Sequence, residues 1–173
     1  MLGTLTSRPD GRWELRYVRT LPHPPERVWS ALTEDEELAA WFPSTIEGER
    51  KAGASLTFRF DGEGAEPQTG EMLACEPPRL LELTWGGDVL RFELTPVDGG
   101  TELVLVDTFD EHGKAARDGA GWHECLDRLP AVLAGEPPPL DWGVRWKEVH
   151  PRYVDAFGPE ASSIGPPEGH EPG

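Results

Sequence analysis

The chain repeatedly alternates apolar and polar residues, and a two-residue period of this kind predicts β-strands. Residues 13–19 form the first alternating stretch, and a cluster of prolines ends it. At 56–60, Leu56, Phe58 and Phe60 share one face. Glycine- and proline-rich turns separate the stretches. The predicted strands are 13–19, 44–47, 56–60, 70–76, 81–85, 90–94 and 101–109.

Two short helices are predicted between the first strand and the second. Val28, Trp29 and Leu32 recur at helical spacing. Pro25 fits the first helical turn, where its missing N–H would be unpaired anyway. A second apolar cluster at 38–42 ends before a proline. Helices this short are not stable alone, so we expect them to cover the rim of a curved sheet.

A long helix is predicted after the last strand, where the period of the apolar residues changes. Trp122, Leu126, Leu129 and Leu133 fall on one helical face. Pro130 interrupts this pattern and is expected to kink the helix or end its regular hydrogen bonding.

The C-terminal part is less regular. A stiff proline-rich connector at 136–139 leads to a further helix candidate at 140–157. Residues 158–173 hold almost nothing to bury, which predicts a disordered tail. We therefore expect one domain over residues 1–157, with no internal repeat.

The order of these elements predicts an α+β fold. One antiparallel sheet of six or seven strands, curved around the long helix, satisfies the pattern. The helix that holds Trp122 then lies in the groove of the sheet. The concave side is expected to present Leu56, Phe58, Phe60, Leu81, Leu83, Trp85, Leu90, Phe92 and Leu94.

The charge of the chain limits its partners. It has 16 Lys and Arg residues against 32 Asp and Glu residues, a formal net charge of −16. A surface this acidic repels phosphate backbones, which argues against nucleic acid and against anionic membranes as partners. Solubility is the simplest role of the charge.

Cysteine usage and the N-terminus favour a cytoplasmic protein. Cys75 and Cys125 lie on different predicted elements and have no CxxC spacing, which suits a reducing compartment. The N-terminus lacks the basic start and apolar run of a signal peptide. No window reaches the length of apolar residues that a membrane span needs.

The run PERVWSALTEDEELAAWFP, residues 25–43, resembles the opening of the START/SRPBCC helix-grip superfamily. Within it, the activator of heat-shock-protein-90 ATPase-like branch is the most similar. Residues 100–103 (GTEL) and 121–122 (GW) fit the same branch, and the resemblance spans about 12–134. It implies a curved sheet around a long helix. It also implies a cavity for lipids, polyketides or aromatic compounds.

Candidate cavity residues follow from the apolar faces. Aromatic and leucine side chains here serve either plain packing or a ligand cavity between sheet and helix. The openings of that cavity are expected near the two short helices. The candidate lining residues are Trp29, Trp41, Phe58, Phe60, Leu83, Trp85, Leu90, Phe92, Trp122 and Leu126.

Three polar residues are candidates for the same cavity. Asp107 ends an apolar strand and either faces solvent or points inward with a raised pKa. Glu71 has the same two interpretations. His123 follows Trp122 on the long helix and is either a base or an ordinary packed histidine. No nucleotide, P-loop, zinc or nucleophile–base motif occurs, so we predict no catalytic residue, no metal and no cofactor.

Three functions remain open. The first is a binding protein for an apolar or amphipathic small molecule. The second is a protein-interaction or chaperone-associated module, as the family name suggests. The third is a cyclase- or hydrolase-like enzyme, which fold alone cannot decide. A dry cavity with an apolar lining would favour the first. A filled cavity and a bare apolar surface patch would favour the second, and a histidine and carboxylate converging inside would favour the third.

Overall fold

The structure is a computed structural model that describes residues 1–166. Its strands are β1 (Thr4–Ser7), β2 (Trp13–Leu21), β3 (Thr45–Glu47), β4 (Ser55–Arg59), β5 (Gln68–Glu76), β6 (Leu80–Trp85), β7 (Asp88–Val97) and β8 (Gly100–Phe109). Its helices are α1 (Pro25–Thr33), α2 (Asp35–Trp41), α3 (Ala115–Leu133) and α4 (Val144–Phe157). Short 3-10 helices lie at His112–Lys114 and Pro159–Ser162.

All strands belong to one antiparallel sheet in the order β1-β2-β8-β7-β6-β5-β4-β3. The predicted helix-grip fold is confirmed, with eight strands instead of six or seven. The unpredicted strand is β1, which pairs with β2 from Thr4 opposite Arg16 to Ser7 opposite Trp13. Its four residues bury almost nothing, so no apolar alternation marks it.

The inner face of the sheet and α3 form one hydrophobic core. On β8 the inward positions Leu103, Leu105, Asp107 and Phe109 are all buried, as a two-residue period requires. Leu126 and the neighbouring apolar residues of α3 belong to the same core cluster. An acidic residue therefore takes one place in an otherwise apolar row.

Helix α4 packs on α3 at a glycine. A Cβ at Gly119 would come within 2.9 Å of the Tyr153 ring, so only glycine permits this approach. The Gly119 carbonyl also accepts a hydrogen bond of 2.7 Å from the Tyr17 hydroxyl. Pro130 is an exposed residue in the last turn of α3, and the helix continues to Leu133. The expected break therefore does not shorten the helix.

The segment after α4 differs from the predicted tail. Pro159–Ser162 forms a 3-10 helix in which Ala161 is fully buried. The Ile164 N–H donates to the Gly113 carbonyl at 3.0 Å. One small buried residue and a backbone hydrogen bond hold this segment, and composition does not reveal either. The rest of the predicted tail, 167–173, lies outside the described residues. Within residues 1–166, no helix is both long and apolar enough to cross a membrane.

Candidate functional site

A cleft of about 730 Å³ opens where the β6–β7 turn approaches the first half of α3 and the start of α4. Four tryptophans from three parts of the chain line it. Trp85 ends β6, Trp122 lies on α3, Trp142 just precedes α4, and Trp146 lies in its first turn. Residues after the β6–β7 turn, just before α3 and on α3 also line it, among them Asp88, Lys114, Arg117, Asp118, Glu124 and Cys125.

Packed aromatic rings hold the inner wall of the cleft. The Trp85 ring lies edge-on to Trp122, with 5.9 Å between centroids. Phe42, Phe58 and Phe60 contact the same indole at centroid distances of 5.1, 4.9 and 5.6 Å. Side chains on several sides fix the orientation of Trp85, so this wall is preformed.

The outer wall is more exposed. Trp142 precedes α4, its side chain is 44% exposed, and the Arg128 guanidinium lies 4.0 Å from its ring centroid. Trp146 is buried and donates its indole N–H to the Arg117 carbonyl at 3.1 Å. The outer wall thus has one fixed tryptophan and one tryptophan at the rim.

Glu124 positions the start of α4. Its Oε1 accepts a hydrogen bond of 2.8 Å from the Gly143 N–H. Gly143 has a φ of +87°, which favours glycine at this helix cap. Burial raises the pKa of Glu124, although hydrogen bonds from the first backbone N–H groups of α4 oppose the rise. A carboxylate at a helix N-terminus is electrostatically favourable.

Charged groups form the floor of the cleft. The Lys114 ammonium lies 2.7 and 2.6 Å from the two carboxylate oxygens of Asp88 and 3.3 Å from Asp118. Arg117 pairs with Asp118 at 2.8 Å. Burial alone would lower the pKa of Lys114, but its acidic partners raise it, so the ammonium stays charged. Burial raises the pKa of Asp88, and Lys114 opposes the rise.

Asp107 lies behind Trp122. Its Oδ2 accepts a hydrogen bond of 3.0 Å from the Trp122 indole N–H, while its Oδ1 is buried without a hydrogen-bond partner. Burial raises the pKa of Asp107 well above the usual range, and the neighbouring Asp88 and Asp118 raise it further. One oxygen of this buried carboxyl group therefore lacks a hydrogen bond directly beneath the cleft.

The structure brings few of the expected lining residues to this cleft. Trp85 and Trp122 line it. Trp29 is half-buried on α1. The remaining residues except Phe60 are buried in the core cluster between sheet and helix. These core residues are Trp41, Phe58, Leu83, Leu90, Phe92 and Leu126.

A second groove of about 670 Å³ lies beside the two short helices, where the openings were expected. Phe60 lines it together with Leu38 and Ile46. Its other walls are largely charged, and Arg50 pairs there with Asp35 at 3.0 Å. Charged walls suit an apolar ligand less well than the tryptophan-lined cleft does.

The three polar candidates lie in different parts of the structure. Glu71 is exposed on β5, so it does not point inward. His123 is buried between α3 and α4, where Nδ1 lies 2.9 Å from the Tyr153 hydroxyl and Nε2 lies 3.4 Å from Asp127. Its partners turn it away from the cleft. Of the three candidates, Asp107 alone contacts a residue of the cleft lining.

Sequence reasoning missed several residues of the site. Asp88 begins a strand after a glycine turn, and no pattern distinguishes it from a solvent residue. Lys114 and Asp118 have the i, i+4 spacing that brings two side chains together on a helix. That spacing was the available signal for the charged floor.

Comparison with known proteins identifies the family. The model of the Activator of Hsp90 ATPase homolog 1-like protein family matches residues 22–134, well over half of the chain. The chain belongs to this family. The match confirms the sequence resemblance, and no curated protein matches the chain.

Solved structures share the fold. A conserved protein of unknown function from Enterococcus faecalis has a TM-score of 0.73 at 21% identity, over 90% of each chain. CalU16 from Micromonospora echinospora has a TM-score of 0.67 at 24% identity, over 90% of this chain and 92% of its own. A protein from Bordetella parapertussis is 31% identical, with a TM-score of 0.66, over 88% of this chain and 94% of its own. This family member is thus a helix-grip protein.

Proposed function

We propose that this chain binds an apolar small molecule with an aromatic or similarly flat part in the tryptophan-lined cleft. The observation that carries the proposal is the lining by four tryptophans of a cleft of about 730 Å³. Sites for drug-sized ligands typically measure about 300–1,000 Å³ and combine apolar walls with a few polar groups. Membership of a family with this fold supports a ligand-binding or activator-like module.

The rim tryptophan strengthens the proposal. Trp142 is 44% exposed, although large aromatic side chains contribute most when they are buried. A flat ligand lying between Trp142 and the inner wall would remove this indole from water. Each Å² of apolar area buried contributes about 25 cal/mol, so the rim ring adds directly to affinity.

Binding suits the cleft better than catalysis does. Burial raises the pKa of the Cys125 thiol, which keeps it protonated and a weak nucleophile. Lys114 is paired and charged, and His123 lies away from the cleft. Among the described residues that line the cleft, no nucleophile lies beside a free base.

The proposal is tested by a screen of lipids, polyketides and aromatic compounds, read by tryptophan quenching and thermal melting. A ligand at a hundredfold excess over its Kd should add about 2.7 kcal/mol of stability. For a chain of this size that raises the Tm by about 5–11 °C. A screen without quenching and without a melting shift would contradict the proposal.

Two matched variants locate the binding. Trp142→Ala should weaken the best ligand by about tenfold, because a stacking face is lost. Leu140→Ala removes a similarly exposed apolar side chain of the same loop that does not line the cleft. It should leave the affinity unchanged, and equal losses in both variants would argue against stacking at Trp142.

A second candidate is a protein-interaction module of the ATPase-activator type. Leu140, Trp142 and Val144 are 41, 44 and 40% exposed and lie close together in the chain. Such a patch can bind a partner protein. The test is whether the chain stimulates the ATPase of a heat-shock protein of the Hsp90 type. Stimulation by the wild-type chain that is lost in Val144→Asp would favour this function over the first.

The cysteines and the net charge support the expected location and partners. Cys75 and Cys125 are both free thiols, which supports a reducing compartment such as the cytoplasm. The net charge of −16 supports the absence of nucleic-acid binding.

A further inference from the structure

We propose that Asp88, Asp107 and Asp118 together bind a divalent metal cation at the floor of the cleft, in place of the Lys114 ammonium. One carboxylate oxygen from each residue lies within 4.8 Å of one from each of the others. This inference does not depend on the proposed organic ligand, and its test does not use one.

The unpartnered oxygen of Asp107 is the observation that points to a ligand. Asp88 is neutralised by Lys114, and Asp118 pairs with Arg117. Asp107 is fully buried, and among residues 1–166 it has no ion-pair partner and no hydrogen bond to Oδ1. Oδ2 accepts the Trp122 indole N–H, so the unmet need of this buried group is a counter-charge and a partner for Oδ1.

The Lys114 ammonium already supplies positive charge to part of the aspartate cluster. It contacts Asp88 and Asp118, but the hydrogen bonds that it makes do not include Asp107. A monovalent ammonium on a long side chain thus satisfies part of the cluster. A divalent cation would contact all three carboxylates and carry twice the charge, while the Lys114 side chain is long enough to turn towards the open cleft.

The ligand chemistry selects the class of metal. Carboxylate oxygens suit hard cations such as Ca²⁺, Mn²⁺ and Mg²⁺. Calcium binds oxygen at about 2.3–2.6 Å, so two oxygens on opposite sides of one Ca²⁺ ion lie about 5 Å apart. The spacing of the three aspartates is therefore compatible with one ion. The open cleft provides a route of entry and space for water ligands.

The direct test is calorimetric titration of the chelator-treated protein with Ca²⁺, Mn²⁺ and Mg²⁺. One saturable site per chain is expected for at least one of these ions. Trp122 emission should change in parallel, because its indole N–H donates to Asp107. Absence of saturable binding up to about 10 mM would overturn the proposal, since even weak protein calcium sites bind below that range.

Three variants separate the site from the general attraction of an acidic protein. Asp107→Asn keeps an acceptor for Trp122 and should fold, but it should lose about tenfold or more in affinity because a charged ligand is gone. Glu36→Gln removes one exposed acidic residue of α2 and should leave the affinity unchanged. Lys114→Met should tighten binding, because the competing ammonium is gone. Equal affinity in wild type and Asp107→Asn would overturn the proposal.

Discussion

Replacing Asp107 by Asn tests the electrostatics beneath the cleft. The amide has the shape of the carboxyl group, keeps an oxygen for the Trp122 indole N–H, and carries no charge. Its NH₂ group would take the place of Oδ1, which has no partner in the wild-type protein. The amide also removes the charge that Asp88 and Asp118 repel, since an oxygen of each lies within 4.8 Å of one oxygen of Asp107.

The expected gain is a free energy of unfolding higher by about 1–3 kcal/mol at pH 7, because burying a neutral amide costs less than burying an acidic group beside two other carboxylates. Burial raises the pKa of Asp107 in the folded protein, so the folded state binds more protons than the unfolded state above the ordinary Asp pKa of 3.8. Wild-type stability from this group is then highest at low pH and falls as pH rises through the folded pKa. The advantage of Asn should shrink as pH is lowered.

The assay is urea unfolding of both proteins between about pH 4 and pH 8, with Asp155→Asn, an exposed residue of α4, as the control. At pH 7 the urea midpoint of Asp107→Asn should lie above that of wild type, and thermal melting should give a Tm higher by about 2–4 °C per kcal/mol. A variant less stable than wild type at pH 7, or a difference that does not change with pH, would refute the reasoning.

Three further changes test the packing of α3 and α4. Leu126→Ala should lower the free energy of unfolding by about 2–5 kcal/mol, because Leu126 is buried in the core; an unchanged urea midpoint would remove it from the core. Tyr153→Phe should cost about 1–3 kcal/mol in the same assay, since His123 Nδ1 and the buried Gly3 N–H both lose their partner, and no cost would show that these two bonds are dispensable. Burial alone would raise the pKa of Asp127, but hydrogen bonds from His123 and Arg145 lower it to about 2. Asp127→Asn should therefore be less stable than wild type at neutral pH, and this difference in stability should vanish as pH falls from 3.8 towards 2. A difference that persists in acid would contradict the lowered pKa of Asp127.

Periodicity predicted the fold well because the fold depends on which face of each element is apolar. The helical spacing of Trp122, Leu126 and Leu129 predicted the buried face of α3. Strand alternation likewise predicted the inner face of the sheet. Asp107 occupies an inward position of the same alternation, between Leu105 and Phe109, although the sequence favoured a solvent position at the strand end.

The position of the cleft was not predictable in the same way. A pattern indicates that Phe58 and Phe92 face inward, but not whether their volumes fill the space between sheet and helix. In the structure both are buried in the core, and the tryptophan-lined cleft opens between the β6–β7 turn, α3 and the start of α4. Trp142 belongs to no regular element there, so no period reveals its position. The charged floor depends on Asp88 and Lys114, which are 26 positions apart in sequence.

The indole N–H signals in a ¹H–¹⁵N spectrum test the central claim, because each tryptophan reports on a different place in the fold. The chain has seven tryptophans. Four line the cleft, Trp85, Trp122, Trp142 and Trp146, and three do not, Trp13, Trp29 and Trp41. Titration with a hydrophobic dye such as Nile red, or with the best ligand of the screen, should shift the four signals of the cleft and leave the other three in place. Shifts confined to Trp29 and Trp41, or no shifts at saturating ligand, would contradict binding in this cleft.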